Sequence, residues 1–251
     1  MSKFQICLLP GAAFGILCHM AIHRNYVIGT LALLVIACSP TRPLHAQSKR
    51  DKLRSKVAHA TLRITTDNGY QGSGVVTRIM NRKYVLTAHH VVEGSSKIRL
   101  ESWGDRSSGI TTQLQGWHRL YDIAVYPLPD KMNHLPVLRL SPRILPKGEK
   151  VGVAAFPRGE FTDTTGTIRE YRAPLPGLDN VPTEVLFTAD VDKGASGGMI
   201  IDKYANLVGI VTAYEYFRSP EGYRIKGDSV GTPSVLIRTL IEQKVGQGWR
   251  P

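Results

Sequence analysis

Short segments in which apolar and polar residues alternate make up most of the chain, a pattern typical of a β protein. Residues 60–66 alternate with period two, as a half-buried strand does. Turn-forming sequences such as Asp67-Asn68-Gly69 and Ser108-Gly109 separate this segment from similar ones. The further strands predicted in this half are residues 74–79, 84–88, 97–101, 110–116 and 123–128.

A second series of strands begins after Pro136. Its members are residues 151–156, 166–171, 184–189, 199–202 and 207–213. Only residues 233–245 have helical spacing, with apolar side chains on one side. We therefore predict an all-β protein of two consecutive units, residues 57–135 and 136–251, the second ending in a helix. Closed barrels are the favoured arrangement, because they hide the edges of many short strands.

The first 46 residues have a different pattern, that of an export leader. Residues 26–37 form an apolar run that is too short for a comfortable membrane span but suits a secretory signal. Met20 is an alternative start, because the residues after it would form a short basic segment. We predict removal of the leader and a location in the periplasm or outside the cell.

Two cleavage points compete at the end of this leader. Residues 35–38 (Val-Ile-Ala-Cys) resemble a bacterial lipobox, which would make Cys38 a lipidated N-terminus and the only membrane anchor. Residues 44–46 are a poorer match to a small-x-small cleavage site, and Cys38 would then be an ordinary small residue. Residues 47–56 are polar and charged, which predicts a solvated arm or a short helix.

Composition excludes several classes of function. All three cysteines lie in the leader, so the rest of the chain has no internal disulfide and no thiolate zinc site. The net charge is +12, but the basic residues are dispersed and few aromatics lie among them. Dispersed charge is usually a solvated surface, so we do not expect a nucleic-acid partner.

Three motifs carry residue types suited to nucleophilic catalysis. His89 and His90 end an apolar strand, Asp122 begins another, and Ser196 lies in a glycine-rich loop that includes Gly194. A serine hydroxyl needs a base to accept its proton, and histidine, with an ordinary pKa of about 6.5, suits that role. A carboxylate fixes the imidazole tautomer, and backbone N–H groups, here those of Gly194 and Ser196, stabilise the oxyanion.

Each motif also has a simpler interpretation. The histidine pair could be a satisfied strand end or a weak metal site, Asp122 a turn residue, and the glycine loop merely a tight turn. Their joint occurrence in the order His, Asp, Ser favours a serine hydrolase. No His-Glu-x-x-His pattern appears, so we predict neither a metal nor another cofactor. Activity should fall below about pH 6, where a histidine base becomes protonated.

These motifs resemble those of the chymotrypsin-fold serine proteases, specifically the HtrA (Deg) branch. Residues 87–92 resemble the histidine motif and select His90 over His89, residues 122–125 resemble the acid motif, and residues 193–198 resemble the serine motif. Supporting matches lie at residues 72–76, 208–213 and 232–234. The resemblance extends over residues 57–245, nearly the whole chain after the leader.

The resemblance implies two perpendicular six-stranded antiparallel β-barrels with the active site between them. His90 and Asp122 would come from the first barrel and Ser196 from the second, and an acyl-enzyme would form during hydrolysis of polypeptide substrates. Thr212, Ala213 and Tyr214 would form the edge strand that pairs with an extended substrate. Two departures are evident: no PDZ domain follows the helix, and Ala195 replaces the aspartate on which zymogen activation depends in digestive trypsin-like enzymes.

The substrate preference has several interpretations. Asp190 lies six residues before Ser196, where trypsin-like enzymes keep the acid that binds Lys or Arg. HtrA-like proteins instead form a small apolar pocket here, to which Val191 would contribute, and Asp190 would then face solvent or pair with Lys193. We favour small aliphatic side chains. The main alternative function is an inactive protease-like barrel that binds peptides, and a surface-attached binding lipoprotein is a third.

Overall fold

The computed structural model describes residues 48–104, 107–111, 114, 116–172 and 181–246. The predicted leader, with Met20 and Cys38, lies outside these residues. The elements in chain order are α1 Lys49–Ala60, β1 Thr61–Thr66, β2 Gln71–Ile79, β3 Arg82–Thr87, α2 His89–Val92, β4 Ile98–Ser102, β5 Ser108–Thr111, β6 Gly116–His118, β7 Ile123–Pro127, β8 Lys150–Ala155, β9 Thr162–Tyr171, β10 Val185–Phe187, β11 Met199–Ile201, β12 Leu207–Arg218, β13 Arg224–Pro233 and α3 Ser234–Gly246. The expectation of a mainly β protein with a C-terminal helix is confirmed.

The first unit is a seven-stranded antiparallel sheet in the order β5-β4-β1-β2-β3-β7-β6. Alternation along its strands sends one set of side chains into the core, where Leu62, Ile64, Val75, Leu86 and Leu100 are fully buried. This core holds together the sheet that carries the two histidines and Asp122.

The second unit is a closed six-stranded barrel in the order β10-β13-β12-β11-β8-β9. Its core includes the fully buried side chains of Val185, Phe187 and Ile200. Strand β12 is long, and its partner β11 pairs only with Leu207 to Ile210. The end of β12, Tyr216 to Arg218, forms a two-stranded ribbon with Arg224 to Lys226 of β13.

The segment between the two units is fixed to both of them. Leu138 N–H donates to the Val76 carbonyl at 2.9 Å, and Leu207 N–H donates to the Arg139 carbonyl at 2.8 Å. At the start of α3, the Ser234 hydroxyl donates to the Ser141 carbonyl at 2.8 Å. This connecting segment is therefore hydrogen-bonded to both the first sheet and the barrel.

Several boundaries differ from the predicted ones. The polar arm is the start of α1, whose N-terminus has a capping box in which Ser48 and Asp51 satisfy each other's backbone N–H groups. The single strand predicted over residues 110–116 is two strands, β5 and β6, while β13 was not predicted. Within the described residues, no helix has the length and apolar character needed to cross a membrane.

Candidate active site

His90 and Asp122 contact each other at two points. The His90 backbone N–H donates to Asp122 Oδ1 at 2.8 Å, and His90 Nδ1 lies 2.6 Å from Asp122 Oδ2. Because a carboxylate can only accept, Nδ1 carries a proton, and in the neutral ring the lone pair is then on Nε2. The imidazole thus has the orientation and tautomer of a general base.

Local backbone geometry directs Asp122 toward the histidine. Asp122 stands just before β7 in a turn closed by its N–H donating to the Arg119 carbonyl at 3.2 Å, and its φ is +52°. Aspartate tolerates this left-handed conformation better than most residues. The neighbouring Tyr121 carbonyl accepts from the Thr232 hydroxyl of β13 at 2.7 Å, which ties the turn to the barrel.

His89 and His90 lie in the short helix α2, directly after the strand on which they were expected. His89 turns away from Asp122 and stacks on Trp117, with ring centroids 5.0 Å apart. Among the described residues, no cluster of three or more His, Cys, Asp or Glu side chains is arranged to hold a metal ion. Of the two histidines, His90 is therefore the one joined to the acid.

Ser196 lies at the junction of the two units. Its carbonyl accepts from the Ser73 N–H at 2.8 Å, and the next residue, Gly197, donates its N–H to the Val211 carbonyl at 2.7 Å. The Ser196 hydroxyl donates to the Thr212 carbonyl at 3.4 Å. Within the described part of the chain it makes no hydrogen bond to His90, so the serine is in place but its proton is directed elsewhere.

Two backbone N–H groups beside Ser196 have no hydrogen-bond acceptor among the residues that the structure describes. The Lys193 carbonyl accepts from the Arg158 N–H at 2.8 Å, and since the two ends of a peptide unit point in opposite directions, the Gly194 N–H faces the other way. Gly194 has a φ of +92°, which favours glycine. Neither the Gly194 nor the Ser196 N–H has an acceptor among the described residues, which suits both for an incoming oxyanion.

Ser73 supports this loop from the first sheet, and the sequence analysis assigned it no role. Its hydroxyl donates to the Gly194 carbonyl at 2.7 Å and accepts from the Phe156 N–H at 2.8 Å, and the side chain is fully buried. Residues 72–76 were noted as a motif, but the Ser73–Gly194 bond joins residues 121 positions apart, and no local sequence pattern could predict such a contact.

The predicted substrate residues lie around the serine loop. Val191 is buried, and Thr212, Ala213 and Tyr214 follow one another on β12 beyond its last pairing with β11. Since β13 covers only one side of this stretch, the other edge is open to an extended chain.

Asp190 is solvent-exposed, with 82% of its side chain accessible, and its partner is Lys226 of β13. The alternative of a Lys193 partner was therefore wrong. Lys193 instead offers its backbone N–H to Asp192, which lowers the pKa of that carboxyl, as does the nearby Arg158 guanidinium to a smaller extent.

The family model described as a trypsin-like peptidase domain matches residues 72–210. Curated relatives include the periplasmic pH-dependent serine endoprotease DegQ of Escherichia coli, 26% identical over 184 residues that cover 70% of this chain and 38% of that protein. An uncharacterized protein, y4bJ of Sinorhizobium fredii, is 28% identical over 137 residues, covering 54% of this chain and 21% of the relative. The chain thus spans between a fifth and two fifths of the length of these relatives.

Solved structures share the fold. The HtrA-type protease AlgW with a tripeptide has a TM-score of 0.63 at 26% identity, covering 78% of this chain and 65% of that one. The Mycobacterium tuberculosis protein Rv3671c, in an inactive Ser343Ala mutant form, has a TM-score of 0.58 at 22% identity, covering 79% and 92%. The expected trypsin-like architecture of HtrA-like type is confirmed.

Proposed function

The chain belongs to the trypsin-like peptidase domain family, and from that premise we propose that it is a serine endopeptidase that cleaves polypeptides through Ser196, His90 and Asp122. The HtrA-like and DegP-like relatives support the reaction class. The geometry around Ser196 supports the assignment of the three residues.

The observation that carries the proposal is the two-point contact between His90 and Asp122. A single hydrogen bond would leave the imidazole free to rotate, whereas the backbone and ring N–H groups together bind both carboxylate oxygens. The ring is then held as the tautomer whose Nε2 can accept a proton. Holding this tautomer is what a general base requires and what a satisfied strand end does not.

The reaction would follow from these positions. Ser196 Oγ attacks the substrate carbonyl carbon while its proton passes to His90 Nε2, and the oxygen of the tetrahedral intermediate binds the N–H groups of Gly194 and Ser196. His90 then gives the proton to the leaving amine, which departs as the peptide C–N bond breaks. Water, deprotonated by the same imidazole, hydrolyses the acyl-enzyme and restores the hydroxyl.

The open edge of β12 would hold the substrate. Among the described residues, no strand pairs with the edge of Thr212, Ala213 and Tyr214 that faces away from β13, and an extended peptide can add itself there as a further strand. This mode recognises backbone rather than side chains. It therefore suits protein substrates of varied sequence.

We place the activity in an exported compartment. The relatives DegQ and DegP are named as periplasmic, and the leader over residues 1–46 has the pattern of a secretory signal. Lipidation at Cys38 belongs to the same proposal. Mass spectrometry of the mature N-terminus distinguishes a lipidated cysteine from cleavage after Ala46.

The contact between the Ser196 hydroxyl and the Thr212 carbonyl favours a second candidate, an inactive peptide-binding barrel. Labelling with a fluorophosphonate probe separates the two. The proposal expects labelling of the wild-type protein, loss of labelling in Ser196→Ala and full labelling in the matched control Ser55→Ala, a half-buried serine of helix α1. A folded wild-type protein that binds peptides without reacting with the probe would favour the inactive barrel.

A further inference from the structure

Two stretches of chain that are joined beside Ser196 would form the two walls of the predicted substrate pocket. The hydrogen bond from Gly197 N–H to the Val211 carbonyl joins the serine loop to β12. Residues 190–194 precede this bond along the serine loop and form the first wall, and residues 212–214 follow it on β12 and form the second. The side chain of the substrate residue before the cleaved bond would enter the space between them.

Lys226 bridges these two walls. Its ammonium group donates to the Asp190 carboxylate and to the Val191 carbonyl, both on the first wall. The same nitrogen lies 4.9 Å from the centroid of the Tyr214 ring, on the second wall. Lys226 reaches this position because β13 pairs with β12 through Tyr216, two residues beyond Tyr214.

The bridge is close to electrically neutral. Among the described residues, Asp190 is the only carboxylate within ion-pair distance of Lys226. Asp192, whose pKa Lys226 also helps to lower, has the Arg158 guanidinium as its own partner at 2.6 Å. Two of the three ammonium N–H groups are used by Asp190 and Val191. Neither charge is therefore available unpaired to a substrate.

We propose that Lys226, by pairing with Asp190, is the residue that keeps Lys and Arg side chains out of the position before the cleaved bond. This inference rests on the proposed peptidase function. A substrate cation would have to displace Lys226 from Asp190 and from the Val191 carbonyl. A substrate acid would meet the Asp190 carboxylate, and a long neutral side chain would meet the lysine stem.

Removing either partner should change the preference in opposite directions. Lys226→Met keeps the length of the side chain but leaves Asp190 unpaired, so the ratio of kcat/KM for Lys or Arg substrates to that for Ala or Val substrates should rise about tenfold or more. Asp190→Asn leaves the ammonium unpaired, so the corresponding ratio for Asp or Glu substrates should rise by a similar factor. The double variant restores neutrality and should return both ratios toward those of the wild type.

The experiment measures kcat/KM for a peptide series that differs only at the residue before the cleaved bond. Lys203→Met is the matched control, because it removes another paired lysine, bound to Glu149 at 3.5 Å, and should leave the series unchanged. The rate of fluorophosphonate labelling at Ser196 is measured for each variant. Variants that label at the wild-type rate with unaltered preferences would overturn this inference alone, whereas a wild-type protein that does not label would overturn the proposed function and this inference with it.

Discussion

Replacing Ser73 by alanine tests whether the first sheet positions the oxyanion-binding loop. The hydroxyl bridges the Phe156 N–H and the Gly194 carbonyl, at 2.8 and 2.7 Å. The Ser73 backbone N–H, bound to the Ser196 carbonyl at 2.8 Å, is untouched by the substitution. Alanine therefore removes two side-chain bonds and leaves the strand itself in place.

The expected cost follows from the burial of this site. Each lost hydrogen bond is worth about 1 kcal/mol net, and a buried donor or acceptor left unsatisfied costs about 1–3 kcal/mol. Ser73 is fully buried and Phe156 is 5% exposed, so water cannot readily replace the hydroxyl. We expect the free energy of unfolding to fall by about 2–4 kcal/mol.

The rate should fall as well, since the Gly194 carbonyl would lose its bond from the Ser73 hydroxyl. Complete loss of one oxyanion donor typically costs about 10²–10³ in rate. Here the Lys193 carbonyl stays bound to the Arg158 N–H, so the loop is only loosened. We expect fluorophosphonate labelling of Ser196 to slow by a factor of about 10–100.

Both quantities are measured beside a matched control. Ser102→Ala removes the hydroxyl of another buried serine, which donates to the His59 carbonyl at 3.0 Å, away from the site. This control should lose about 1 kcal/mol of stability and keep its labelling rate. Unfolding by denaturant gives the stability, and labelling is followed where every variant is folded. Equal labelling rates in Ser73→Ala and Ser102→Ala would refute the reasoning.

Three further predictions follow from the same contacts. Asp122→Asn should lower turnover about 10⁴-fold with little change in circular dichroism, because an amide directs its own N–H at the ring and favours the wrong tautomer. Gly197→Ala should lower the free energy of unfolding by at least about 3 kcal/mol, since its φ is +82° and a Cβ would lie 2.1 Å from a backbone oxygen. Gly222→Ala, at a similar φ of +88° but with no atom close to the new Cβ, should cost about 1 kcal/mol in the same denaturant titration. A hydrogen bond from Ser95 is the main reason that the pKa of Asp67 is lowered from 3.8 to about 2. The ionised carboxylate therefore stabilises the fold above pH 3.8, and this contribution is lost as the pH falls toward 2. In Ser95→Ala, an NMR titration should find the pKa of Asp67 moved up toward 3.8.

Strands that are half-buried could be predicted, because burial on one face imposes alternation. The predicted segments 60–66 and 84–88 differ from β1 and β3 by one or two residues at their ends. Strand β13 was missed because its buried half, residues 229–233, is made of small and polar residues with one valine, and its first three residues lie exposed in the ribbon with the end of β12. A ribbon exposed to water on both faces requires no apolar period, so its sequence carries no alternation.

The candidate site, like the fold, could be predicted only in part. Residue type and order select Ser196, Asp122 and the histidine pair, and the family resemblance selects His90 within that pair. The supporting contacts join residues distant in sequence, and many side chains could make them equally well. Both Lys193 and Lys226 are suitable partners for Asp190, and only the pairing of β13 with β12 determines which lysine reaches it.

The hydrogen bonds around Ser196 also indicate how much must move for the proposed chemistry. The imidazole is held at two points by Asp122, and the serine loop is held at Ser196 and Gly197 by backbone bonds of 2.8 and 2.7 Å. The Ser196 hydroxyl itself is held by one long bond of 3.4 Å to the Thr212 carbonyl. If Ser196 acts as proposed, its hydroxyl must leave the Thr212 carbonyl and turn toward His90, whereas the backbone bonds that hold the loop can stay as they are. N–H groups that stabilise the oxyanion must already be in position when the charge develops. A change of the serine hydroxyl between staggered rotamers adds little to the activation barrier. We therefore expect the position of the loop backbone, rather than the serine rotamer, to control the rate.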